Sequence, residues 1–287
     1  GKEGVVWNLA NPKIRPAHTV KSGDNPGPVP LGDYDDDYNL FAYANSGDRD
    51  VRDLLLGQYF VERTKADPLA FRVLSEDELA KRGRGTRQPV VQDKRAGMIT
   101  TRWFSAVHTL FTAIPRTTAA QAYRAYLGYD IAKMQGLTPV SHEPADYDAK
   151  GVAAPQCAAC HSTLDPLTYP FTRYNGISGG YAYDANRLKE YVRVDGPRVA
   201  EAPASGMIFG QPVADLRAWA AVAANSDAFA QNVVRDYWKL LIGREPDLRD
   251  QVEYTRAWKG LKSADVYNYR VEKMLHGLVL TNAYGQP

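Results

Sequence analysis

This chain has only two cysteines, three residues apart, and a histidine directly follows the second: Cys157-Ala158-Ala159-Cys160-His161. Scattered at random, so few cysteines and histidines would fall into this order about once in 10⁴ chains. The order and spacing match covalent haem c attachment. Two thiols add across the vinyl groups of a porphyrin, the turn between them sets the sulfur separation, and the next side chain turns its imidazole toward the iron. Three other uses of such a pair stay open. A zinc site needs two further ligands from scattered histidines. A thioredoxin-like redox pair normally opens a helix after a strand, whereas a proline-containing loop precedes this one. A structural disulfide would close a very short loop.

A haem of this kind takes its proximal ligand from His161, and a second axial ligand would help set its potential. The candidates are Met98, Met134, Met207, Met274, His18, His108, His142 and His276. Met207 is the first choice. It lies beyond His161 in the loop Pro203-Ala204-Ser205-Gly206-Met207, just before an expected helix. Met134 and Met274 fall on apolar helical stripes and read as core. With no second side chain, the iron would be open to peroxide or another small ligand.

Downstream of His161, Asp165-Pro166 should end the motif helix, and a backbone carbonyl within 166–170 is expected to accept the imidazole Nδ1 proton. Arg173, Tyr174, Tyr181 and Tyr183 are near enough in sequence to reach haem propionates, with Arg173 and Tyr174 the chosen pair.

Apolar periodicity predicts helices beginning near Asp48 and over 100–112, 117–134, 213–224, 226–242 and 269–282. Ser226 is the expected N-cap of the fifth of these and Gly243 its C-cap. Residues 1–45 are rich in Pro, Gly, Asn and Asp and read as an extended, irregular arm. Within it, Asp33, Asp35, Asp36 and Asp37 suggest calcium, but Tyr38 and Ala44 stand where an EF-hand loop needs Gly and Glu, so a solvated acidic turn is expected. Arg82, Arg84, Arg87, Lys94 and Arg95 gather in a polar stretch that reads as a solvated connection. The class is mainly α, divided as an arm over 1–47, a helical region over 48–137 and a haem c domain with C-terminal helices over 138–284.

Thirty-five basic against 33 acidic residues leave a charge of +2, so no whole-protein field recruits nucleic acid. No stretch approaches the roughly 18 to 20 apolar residues that span a bilayer, so no transmembrane segment is expected.

The run from Cys157 through His161, Asp165-Pro166, Tyr169, Phe171 and Arg173 to Ile177 resembles bacterial cytochrome c-like families catalogued as domains of unknown function. Arg95–Thr101, Phe229–Arg244 and Leu278–Tyr284 are similar to the same group, which extends the resemblance over about residues 95–284. The group usually has Gly and then Phe where this chain has Thr168 and Tyr169. The resemblance implies a cytochrome c-like haem domain with long irregular loops, an extended arm and additional packed helices. It also implies an extracytoplasmic location, periplasmic or at the cell surface. Single-electron transfer between redox partner proteins is the leading expectation. A haem c peroxidase or small-ligand-activating enzyme is the first alternative, and a haem-bearing subunit of a larger redox assembly is the second.

Overall fold

The computed structural model describes residues 19–22, 25–30, 35–66, 68–75, 77–78, 92–101, 104–105, 114–133, 137, 139–174, 183–187, 191–192, 198–199 and 201–285. Helices dominate it: α1 (Asp35–Ala44), α2 (Asp53–Leu56), α3 (Arg116–Ala122), α4 (Pro155–Thr168), α5 (Leu216–Asn225), α6 (Asp227–Ile242), α7 (Gln251–Lys262) and α8 (Val271–Leu278). The strands form antiparallel two-stranded hairpins: β1 (Thr19–Ser22) with β2 (Asn25–Pro30), β3 (Val61–Ala66) with β4 (Leu69–Val73), β5 (Tyr191–Val192) with β6 (Arg198–Val199), and β7 (Gly206–Ile208) with β8 (Gln211–Val213).

The C-terminal helices follow directly from local chemistry. In α5, Leu216, Trp219, Ala220, Ala223 and Ala224 recur at helical spacing and are buried, while the Asp215 carboxylate caps the start by accepting from Ala218 N at 2.8 Å. Ser226 joins this helix to the next. Its hydroxyl donates to Ala223 O at 2.6 Å and accepts from Phe229 N at 3.1 Å, so one side chain closes α5 and opens α6. Helix α6 buries Phe229, Val233, Val234, Trp238 and Ile242, then stops at Gly243, whose φ of 83° is left-handed. Helix α7, which the sequence reading overlooked, is announced by a reciprocal capping box between Asp247 and Asp250.

Several expectations about the N-terminal half need correction, among them the helix from near Asp48, which is only the single turn Asp53–Leu56. The acidic stretch is not a solvated turn in an irregular arm. Asp35–Ala44 is helical, with the Asp36 carboxylate in its first turn where the helix dipole favours negative charge. Leu40 and Ala44 face the core. Asp36 grips Arg95 through two hydrogen bonds of 2.7 and 2.8 Å, and Arg95 lies over the Phe60 ring at 3.9 Å, almost wholly buried. Arg95 is therefore no part of a solvated connection; Arg82, Arg84 and Arg87 lie outside the described residues. The helix starting at 116 is also shorter than expected. It passes into a single π-helical stretch, Tyr123–Leu127, which Gly128 ends at φ 71°.

An aromatic junction ties these parts to the motif helix. Trp219, fully buried, meets Tyr123 and Phe171 edge-on at centroid distances of 5.2 and 5.3 Å. Such pairs contribute about 0.5–1.5 kcal/mol each beyond the area they bury. The Trp219 Nε1–H donates to the Tyr123 hydroxyl at 3.0 Å, and that hydroxyl donates to Met207 O at 3.3 Å. The C-terminal bundle, the end of α4 and the β7–β8 hairpin thus share one packed contact. Among the described residues, no helix is long and apolar enough to cross a membrane.

Candidate functional site

Helix α4 carries the whole Cys-x-x-Cys-His motif. Pro155 stands at its first turn, where the missing N–H costs nothing. Cys157 and Cys160 are one turn apart, which places their β-carbons about 5–6 Å from each other on one flank. Both thiols are free; Cys157 is half-buried and Cys160 exposed.

The helix does not end at Asp165-Pro166 as expected but continues to Thr168 with Pro166 inside it. A proline there cannot donate to the carbonyl four residues back, that of Ser162. Val140 N supplies the missing donor to Ser162 O at 3.1 Å. The interruption is thereby satisfied, and the loop over 139–152 is docked against the motif helix.

His161, with 23% of its side chain exposed, is oriented by a partner that sequence reasoning missed. The expected backbone carbonyl is replaced by the carboxylate of Asp165, whose Oδ1 lies 2.8 Å from His161 Nδ1. The local signal was present, since four residues separate the pair and bring them onto one face of α4. Asp165 is itself gripped by Arg116, through Nε at 2.8 Å and a terminal nitrogen at 2.7 Å. Arg116 also holds Asp148, at 2.8 and 3.3 Å. The two carboxylates are 2% and 1% exposed. Burial works against the Arg116 charge, yet the hydrogen bonds it donates to Asp165 and then Asp148 hold its pKa above the ordinary arginine value. As a carboxylate in a guanidinium fork, Asp165 only accepts, so His161 donates to it from Nδ1–H, and in the neutral ring this leaves the lone pair on Nε2.

The other site candidates are distributed as follows. Met207 is half-buried on β7, paired opposite Pro212 and packed against the core. Its hairpin abuts the end of α4 so closely that a Cβ on Gly206 would overlap the Pro166 carbonyl oxygen and the Pro170 ring. Arg173 is buried and donates to Arg187 O, to Ala202 O at 2.8 Å and to Glu201 at 2.8 Å. Tyr174 is buried, donates to Lys94 O at 2.7 Å and stacks edge-on with Tyr183. Both side chains therefore have partners within the chain itself. Of the remaining axial candidates, Met274 is fully buried in α8, His142 and His276 are exposed, and Met98 lines an apolar cavity of about 390 Å³ with Leu54, Tyr126, Phe229 and Val233. Met134, His18, His108 and Tyr181 lie outside the described residues.

The donor set suits a covalent haem: two unbonded thiols on one turn, then an imidazole whose Nδ1 is engaged by Asp165 and whose Nε2 is left to coordinate. Among the described residues no three His, Cys, Asp or Glu side chains gather in a metal-binding cluster. That bears on a zinc site rather than a haem, whose iron brings four porphyrin ligands of its own. Comparison with family models, with curated proteins and with solved structures finds no match.

Proposed function

We propose that this chain is a mono-haem c-type cytochrome that passes single electrons between redox partner proteins outside the cytoplasm. The observation that supports it most is the state of α4. Cys157 and Cys160 offer free thiols one turn apart, half-buried and exposed, and a neutral His161 that donates from Nδ1 to Asp165 is in the tautomer a metal ligand needs. A bound haem supplies reversible one-electron chemistry at a potential the protein adjusts. The chain's own part is to anchor the group through Cys157 and Cys160, to present His161 Nε2 and to fix the imidazole through Asp165. The cytochrome c-like resemblance over 95–284 belongs to this reading, as does the periplasmic or cell-surface location, and a haem-bearing subunit of a larger redox assembly is the second alternative to it.

Met207 is the proposed second axial ligand. Its hairpin is attached to α4 by the close approach of Gly206 to Pro166 and Pro170 and by the Tyr123 hydroxyl on Met207 O. Absorption spectra of the reduced protein with and without carbon monoxide test the assignment. An electron-transfer protein with Met207 bound keeps its spectrum, and Met207→Ala gains carbon monoxide binding. A ready shift in the wild-type protein would favour the small-ligand-activating alternative instead.

A further inference from the structure

The ionic cluster behind His161 holds more charge than is needed to orient a ring. Asp148 and Asp165 together carry two negative charges, and Arg116 answers with one positive charge. The cluster is nearly dry, and its members come from three separated stretches of chain: the start of α3, the 139–152 loop and the last turn of α4. A buried excess of one negative charge is costly unless a positive charge completes it. A neutral His161, which has one ring proton to give to Asp165, adds nothing to the balance.

We infer that Asp165, backed by Arg116 and Asp148, is a positioning residue that holds the one-electron potential of a haem ligated by His161 low, favouring the oxidised form. The inference rests on the haem reading above and deepens it. Two effects act in the same direction. A carboxylate accepting from Nδ1–H makes Nε2 a stronger donor, which suits the more highly charged oxidised iron. The net negative charge, in surroundings of low dielectric, adds a Coulomb attraction for the same state. Arg116 keeps Asp165 in place, and because Arg116 is shared with Asp148 it neutralises Asp165 only in part.

A purely structural Asp165, serving only to fasten Arg116 to α4, would leave the potential unchanged when its charge is removed. The test is the midpoint potential of the matured wild-type protein, of Asp165→Asn, which keeps an acceptor of the same shape, and of Asp148→Asn, which frees Arg116 to neutralise Asp165 fully. Loss of a partner behind a metal-ligating histidine commonly costs about ten- to hundredfold in metal affinity or activity, and an effect of that order is expected on the potential. Asp165→Asn should therefore shift the reduction equilibrium at least about tenfold toward the reduced form, or about 59 mV for one electron. Asp148→Asn should move it the same way by less, and it decides the matter alone if Asp165→Asn fails to accumulate. Reduction equilibria of haem-loaded variants within twofold of wild type would overturn this inference and leave the haem reading standing. Wild-type protein whose intact mass lacks a haem would overturn both.

Discussion

Replacing Arg116 by methionine keeps most of the side chain's volume and removes the only cation between Asp148 and Asp165 in the cluster. Four hydrogen bonds disappear, at 2.8, 2.7, 2.8 and 3.3 Å, and two carboxylates that are 1% and 2% exposed are left facing each other. Each keeps one contact, Asp165 with His161 Nδ1 at 2.8 Å and Asp148 with Ile114 N at 3.4 Å. Breaking a buried pair by removing one partner costs about 3–5 kcal/mol, because the surviving charge has neither water nor a counter-ion. At about 1.4 kcal/mol per decade, that raises the unfolding constant by roughly two to three and a half orders of magnitude. Arg116→Lys keeps the charge without the fork that reaches both carboxylates, so its loss should be smaller, about 1–3 kcal/mol. Urea unfolding of proteins with equal haem content measures both variants, with an unchanged slope showing that the same surface is exposed. A loss below about 1 kcal/mol for Arg116→Met would refute the claim that this cluster is a dry, tightly coupled unit.

Other consequences are equally specific. Asp37 is buried, its Oδ2 has no hydrogen-bond partner among the described residues, and burial followed by the neighbouring Asp36 charge raises its pKa well above the carboxylate range. The folded protein therefore holds that proton more tightly than the unfolded chain, and stability falls as pH rises through the raised pKa. Asp37→Asn, which can still accept from Thr101, should stabilise by about 1 kcal/mol or more at pH 7, with the gain gone below pH ~3.8; urea midpoints that do not separate with pH would contradict this. Gly206→Ala pushes a methyl into Pro166 O and Pro170 and should cost about 1–3 kcal/mol in urea unfolding. Ser226→Ala removes the shared cap of α5 and α6 at a cost of about 1 kcal/mol, seen as a lower urea midpoint.

What could be read from the sequence follows the range of the interactions involved. Ser226, Gly243 and the apolar stripe between them act within a turn or two, and the helix they predict is the helix observed. The Cys157–His161 motif is similarly local. Helix α1 was misread because its acidic first turn looks solvated until Arg95 and Thr101, about sixty residues away, are brought against it. Helix α7 was overlooked because its stripe is interrupted by charge and Val252 is exposed, although the Asp247–Asp250 cap was there to see. Pro166 was taken for a helix end because nothing near it in sequence announces that Val140 will donate to the Ser162 carbonyl. Asp165 was within reach of helical spacing from His161. Arg116 and Asp148 were not, since only the tertiary fold joins them to α4.

The most direct measurement is the intact mass of the protein matured in an extracytoplasmic compartment with haem-attachment machinery, beside Cys157→Ala/Cys160→Ala made in the same way. The wild-type chain should be heavier than its polypeptide by one haem that survives denaturation, and the double variant should show the bare polypeptide mass. A wild-type mass equal to that of the unmodified chain would contradict the account at its root.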